Sequence, residues 1–153
     1  VTEDNSGGQK NRWKSSLLTS GLFITPVCLT ASQQTSGVQV PEGAESVLLP
    51  CSFKFPDGEK DVVVWSREDL NPSTVHLHSQ KGDDLQNQNQ RYRGRTSMEK
   101  EALQTGELSL SLRKPQLTDS SIYTCTISRF GEDHTKTEVQ LEVLREEGGS
   151  VDQ

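Results

Sequence analysis

Asp119-Ser120-Ser121-Ile122-Tyr123-Thr124-Cys125 is the stretch of this 153-residue chain that decides its fold. Tyr123 and Cys125 lie two apart, so on a strand they share one face, while Ile122 and Thr124 share the other. Working outward, Cys51 lies 74 positions before Cys125 and Trp65 lies 14 positions after Cys51. Each sits on the inward phase of its own strand. This frame predicts a disulfide joining two sheets across a core, with Trp65 packed against it. It also predicts a Tyr123 hydroxyl that bonds back to the preceding turn. Closing so long a loop contributes roughly 4 kcal/mol on the chain-entropy model. Asp119, four residues before the tyrosine, is expected to pair with Arg95 at the base of the same layers.

The rest of the chain reads with period two from about Gly37 onward. Val47, Leu49, Cys51 and Phe53 alternate with Ser46, Leu48, Pro50 and Ser52. Leu108, Leu110 and Leu112 alternate with Ser109, Ser111 and Arg113, and Val139, Leu141 and Val143 with Gln140 and Glu142. One face of each strand therefore meets a core and the other water, the habit of antiparallel sheets. Val62, Val63, Val64 and Trp65 are continuously apolar, as in a central strand covered on both faces. Turn signals fall at Pro56-Asp57-Gly58, Asn71-Pro72-Ser73, Lys81-Gly82-Asp83, Thr105-Gly106 and Phe130-Gly131. No helical periodicity or internal repeat is present, and the polar run from Gln86 to Gln90 reads as a low-complexity loop.

Between Trp65 and Arg95 there is room for two extra strands, near residues 74–79 and 80–85. The fold expected is all-β: an immunoglobulin-like, variable-type sandwich of two antiparallel sheets with about nine strands.

Composition bounds the function. A formal charge of −6 repels phosphate backbones and anionic membranes, so nucleic acid is not an expected partner. Mean hydropathy is −0.69, lowered by polar stretches at 3–9 and 146–153 that are expected to be disordered. Residues 1–31 read as a polar leader followed by a secretory signal: basic Asn11-Arg12-Trp13-Lys14, an apolar stretch at 17–31, then small residues for cleavage after Ala31 or Ser32. A buried N-terminal strand or helix is the alternative. The apolar stretch is too short to span a bilayer as a helix, and Val1 in place of Met marks a fragment or an incomplete gene product. If the signal is removed, Cys28 leaves with it, and Cys51 and Cys125 remain as an even pair in an exported chain. The domain is expected at 36–144 and a polar tail at 145–153. Any membrane attachment would need an anchor that this chain does not carry. The expected location is extracellular, secreted or on the outer side of the plasma membrane.

Several runs resemble a known family. Gly43-Ala44-Glu45-Ser46-Val47-Leu48-Leu49-Pro50-Cys51, Val75-His76-Leu77, Tyr92-Arg93-Gly94-Arg95-Thr96 and Gly106-Glu107-Leu108-Ser109-Leu110-Ser111-Leu112 are similar to the variable domains of the butyrophilins. Myelin-oligodendrocyte glycoprotein and the costimulatory ligands of T cells are similar too. The resemblance covers about residues 38–144. It implies an immune recognition module, part of a type I surface glycoprotein, that modulates T-cell activation by binding a receptor on another cell, a T cell, through its front sheet. The sequence departs from the family in two ways. Family members usually continue into a second immunoglobulin domain or a membrane helix, neither of which is read within these 153 residues; they are usually glycosylated, yet the nearest sequon, Asn71-Pro72-Ser73, carries the blocking proline. The competing reading is an antigen-receptor-like or adhesion-type variable domain with another protein partner. Against antigen receptors, Phe130-Gly131-Glu132-Asp133 lacks the second glycine of their Phe-Gly-x-Gly bulge.

Chemistry is sparse. His76 and His78 share a strand face, which with His134 could form half a metal site; the plainer reading is exposed polar residues of the front sheet. No nucleophile elbow, oxyanion loop or phosphate loop is present, so no enzyme activity, cofactor, metal or small-molecule substrate is expected. The outer side of the front sheet should carry Val64, Thr124, Thr126 and Gln140. Arg129 and Phe130 should follow in the turn after Ser128, residue types favoured at binding hot spots. Phe130 either contacts a partner or folds back on the sheet edge. Outer back-sheet positions Ser109, Ser111 and Arg113 are small or charged and offer little to a partner.

Overall fold

Alternation of side-chain character sets the strands. The computed structural model describes residues 35–55 and 61–148. Contacts divide the chain into Val1–Gln34 and Thr35–Gln153, and the described residues all fall in the second unit. The leader and signal expected at 1–31, with Cys28, lie outside the described residues. So do the turn at Pro56-Asp57-Gly58 and the end of the tail, 149–153.

Among the described residues nine strands form two sheets. They are β1 (Thr35–Pro41), β2 (Ser46–Leu49), β3 (Asp61–Ser66), β4 (Thr74–Ser79), β5 (Gly82–Asp83), β6 (Thr96–Ser97), β7 (Leu110–Arg113), β8 (Ser121–Arg129) and β9 (Glu132–Leu144). One short helix, α1 (Ala102–Thr105), precedes β7. The front sheet runs β1-β9-β8-β3-β4-β5 and the back sheet β2-β7-β6. All pairings are antiparallel except β1 with β9, which are parallel from Thr35↔Glu138 to Pro41↔Leu144. No hairpin links these two strands, so no turn dictates their relative direction.

The inner faces meet as the period-two pattern requires. Leu49, Leu110 and Leu112 from the back sheet and Val63, Trp65, Val75, Tyr123, Cys125, Val139 and Leu141 from the front are all buried. Each large apolar side chain so buried stabilises the fold by about 1.5–3 kcal/mol. Cys51 and Cys125 are disulfide-bonded across this core with Cα atoms 6.6 Å apart, an ordinary span for the bond. Trp65 is the cross-strand neighbour of Cys125, and its Nε1–H donates to the Leu108 carbonyl at 3.0 Å, tying the layers together. Val62 and Val64 are only half-buried, so β3 is covered on its inner face alone.

Beneath the core lies a directed chain of polar groups. Arg67 Nη1 donates to the Tyr92 hydroxyl at 2.8 Å, and the Tyr92 and Tyr123 hydroxyls are 2.9 Å apart. Tyr123 donates to the Asp119 carbonyl at 2.6 Å. Because the Tyr123 proton is committed to Asp119, Tyr92 must donate to Tyr123. Arg95 pairs with the fully buried Asp119 carboxylate, which also accepts from the Gln116 backbone N–H at 2.8 Å. Burial, and then the neighbouring Tyr92, push the Tyr123 hydroxyl well above its usual pKa.

Two segments differ from expectation. β5 has two residues where a strand over 80–85 was expected. Asp83 and Asp84 disfavour extended pairing, and the chain leaves the sheet there. The Gln-rich run is ordered structure rather than a bare loop. Gln88 is buried, and its side-chain amide shares its two N–H groups among the carbonyls of Val75 at 3.0 Å and Tyr92 at 3.2 Å and Thr96 Oγ1 at 2.9 Å. Asn89 caps the 3-10 turn Gln90–Tyr92 by accepting from the Arg91 backbone N–H.

Candidate recognition face

Register places the outward side chains of the front sheet in rows. Lys136, Thr126, Val64 and Leu77 stand side by side across β9, β8, β3 and β4. The adjoining row toward the β8–β9 turn carries Asp133, Ser128, Val62 and Ser79, and the opposite end carries Ile122 beside Gln140. Val62, Val64, Thr124, Thr126 and Leu77 are half-buried, and Ile122 is exposed. This face mixes β-branched, hydroxyl and a few charged groups, a composition closer to protein interfaces than to a plain solvated surface.

The β8–β9 hairpin ends this face. Arg129 pairs with Glu132 across a two-residue turn, Phe130-Gly131, in which both residues have positive φ, 54° and 82°. That is the backbone of a type I′ hairpin turn. Phe130 is 72% exposed. Arg129 closes β8 rather than standing in the turn. Its guanidinium grips the Asp61 carboxylate at 2.9 and 3.2 Å, and Asp61, the first residue of β3, is only 1% exposed. Farther along, the Ser128 hydroxyl at 2.8 Å and the Lys136 ammonium at 3.3 Å hold the Asp133 carboxyl below its usual pKa.

The histidines are not on this face. His76 and His78 point inward and are buried, contrary to the expectation of exposed front-sheet residues. They can be buried because their ring nitrogens are partnered. His76 Nε2 and His78 Nδ1 meet one oxygen of Asp83 at 2.9 and 2.7 Å, and His76 Nδ1 meets Thr96 Oγ1 at 2.9 Å. Burial works to raise the Asp83 carboxyl, but the histidine hydrogen bonds outweigh it and hold its pKa low. His134 sits elsewhere, edge-on to Phe53 at 5.8 Å. Among the described residues no group of three or more potential ligands is arranged to hold a metal ion.

The back sheet also departs from expectation. Ser109 is buried, accepting from the Cys51 backbone N–H at 3.2 Å and bonding Glu107. Leu48, on the outer phase of β2, is 59% exposed. It lines a cavity of about 750 Å³ with Met98, Ser111 and the charged Glu99, Lys100 and Glu107. Periodicity had put Leu48 outside, yet nothing in the sequence marked a concavity there, because the walls come from the segment around α1.

With the sandwich, the cross-core disulfide and the tyrosine–aspartate corner in place, the class is an immunoglobulin variable-type domain. The chain belongs to the immunoglobulin V-set family, whose model matches residues 33–144. It is 36% identical over 85 residues to the V-set domain-containing T-cell activation inhibitor 1 of Rattus norvegicus, covering 54% of this chain and 29% of that protein. Over 130 residues it is 29% identical to programmed cell death 1 ligand 1 of Mus musculus, covering 80% of this chain and 43% of that one. The solved human B7-H4 IgV-like domain superposes with a TM-score of 0.60 at 25% identity, over 72% of this chain and 92% of that chain. The chain thus spans less than half the length of the curated relatives it matches. It is an immunoglobulin V-type module, one of a family of non-enzymatic domains.

Proposed function

We propose that this domain binds a protein receptor on a T cell through the outer face of the front sheet and the Phe130 hairpin, and thereby modulates T-cell activation. The observation that carries the reading is the exposed Phe130 at the rim of the Val62, Val64, Leu77 and Thr126 rows. An aromatic beside a half-apolar, hydroxyl-rich face supplies an anchor and the adaptable surround that protein interfaces use. The names of the relatives, a T-cell activation inhibitor and a programmed cell death ligand, support the same class of partner. The cross-core disulfide suits an oxidising, extracellular setting. Among the described residues no helix is long and apolar enough to cross a membrane.

The test is staining of activated T cells by the soluble domain and by its Phe130→Ala variant. Loss of a hot-spot aromatic should weaken binding about tenfold or more, with the melting temperature unchanged because Phe130 contributes little to the core. A variant that stains cells like the parent would move recognition away from this hairpin.

A further inference from the structure

We infer that Arg129 is a positioning residue: clamped on Asp61, it holds the β8–β9 hairpin so that Phe130 stands preformed to enter an apolar pocket on the receptor. This rests on the receptor-binding reading above and names what each hairpin residue does within it.

Three observations carry the inference. Phe130 adopts φ 54°, a region that non-glycine residues seldom occupy and that costs of the order of 1 kcal/mol or more. Asn or Gly would fill that place in a type I′ turn without penalty. The aromatic held there is 72% exposed, so most of its ring is open to a partner. Next, the hairpin is held from the side. Arg129 Nε and Nη2 meet the two oxygens of Asp61 in a fork at 2.9 and 3.2 Å, across the register pair Asp61↔Arg129. Forked contacts fix direction as well as distance. Finally, Asp61 is 1% exposed, so it is out of reach of a receptor and acts on binding from behind the surface, through the side chain it holds. A hairpin fixed before the encounter avoids ordering Phe130 during it, a cost of about 0.5–1.5 kcal/mol for a side chain. Phe130 presents only a hydrocarbon ring, so the complementary feature is an apolar pocket.

Asp61 makes the test, because its removal separates positioning from contact. Asp61→Asn and Arg129→Gln variants are compared with the parent and with Phe130→Ala by two readouts. These are staining of activated T cells and hydrogen exchange of the amides of residues 129–133 in the free domain. Positioning predicts faster exchange in both clamp variants and binding weakened roughly three- to tenfold in each. Phe130→Ala should lose more binding than either. If Asp61→Asn folds poorly, exchange in Arg129→Gln still decides, since loss of a mere receptor contact leaves the free hairpin unchanged. Unchanged exchange in the clamp variants overturns the inference. So does loss of binding in Phe130→Ala and Arg129→Gln with parental binding in Asp61→Asn, which would make Arg129 a direct contact. Parental binding by Phe130→Ala would instead overturn the receptor-binding reading itself, and with it the role given to Arg129.

Discussion

Single residues were legible where local spacing dictates their partners. The Tyr123 hydroxyl reaches back four residues to Asp119, and the frame of Cys51, Trp65 and Cys125 leaves little choice of pairing. Arg67 and Tyr92 were not legible as a unit, because they sit 25 positions apart and join only once the sheets close. The pairing of Arg129 with Asp61 was not legible for the same reason, since the two lie 68 positions apart. The Arg67 site also makes a pH prediction. Arg67 forks onto Asp69 at 2.9 and 2.6 Å, and this hydrogen bonding lowers the Asp69 carboxyl from 3.8 to about 2. A carboxyl depressed in the folded state stabilises it above its unfolded pKa, and that contribution is lost as pH falls through the folded value. Asp69 is half-exposed, so screening limits the effect to about 1 kcal/mol or less. Melting curves of the parent and an Asp69→Asn variant should therefore be separated at pH 6 and converge between pH 4 and pH 2. Curves equally separated at pH 2 would mean that the pair contributes nothing through this titration.

Strands were legible where alternation is clean and less so where polar residues are buried. Leu110 and Leu112 announce β7, and both are fully buried, as is Leu108 just before it. β4 was placed correctly, but the inward face of His76 and His78 was not apparent, because polarity alone suggests solvent. Burial depended on Asp83 and Thr96, partners from different segments, with Gln88 bonded in turn to Thr96. The shortness of β5 was tied to Asp83, the aspartate that satisfies those histidines, and to Asp84 after it. The turn at Thr105-Gly106 gives a sharper test at this scale. Gly106 has φ +80°, and a Cβ there would lie 2.3 Å from the Phe53 carbonyl oxygen. Neither atom can move without shifting backbone, and the Phe53 N–H is itself bonded to the Gly106 carbonyl at 2.9 Å. A Gly106→Ala variant should lose about 2 kcal/mol or more, from the left-handed backbone and the clash together, read as an earlier urea midpoint. A parental midpoint would mean that α1 and its turn are held more loosely than this contact implies.

At the scale of the whole molecule, the sandwich follows from composition and frame, while the choice of working surface does not. Either sheet presents an outer face: the front one carries Val64, Thr126 and the Phe130 tip, and the back one carries Leu48 above its acidic-rimmed cavity. Periodicity tells which residues face outward but not which face a partner covers, because binding energy depends on the partner's shape as well. A sugar placed on one face at a time separates the two. Thr126→Asn, followed by Ile127 and Ser128, completes a glycosylation sequon in the middle of the front sheet. Glu107→Asn, followed by Leu108 and Ser109, completes another at the back cavity. Each variant, secreted and glycosylated, is measured for staining of activated T cells beside the parent. The front-sheet account predicts that the glycan of the Thr126→Asn variant abolishes binding and that of Glu107→Asn leaves it intact. Binding that survives the front-sheet glycan and disappears with the back-sheet one would contradict it.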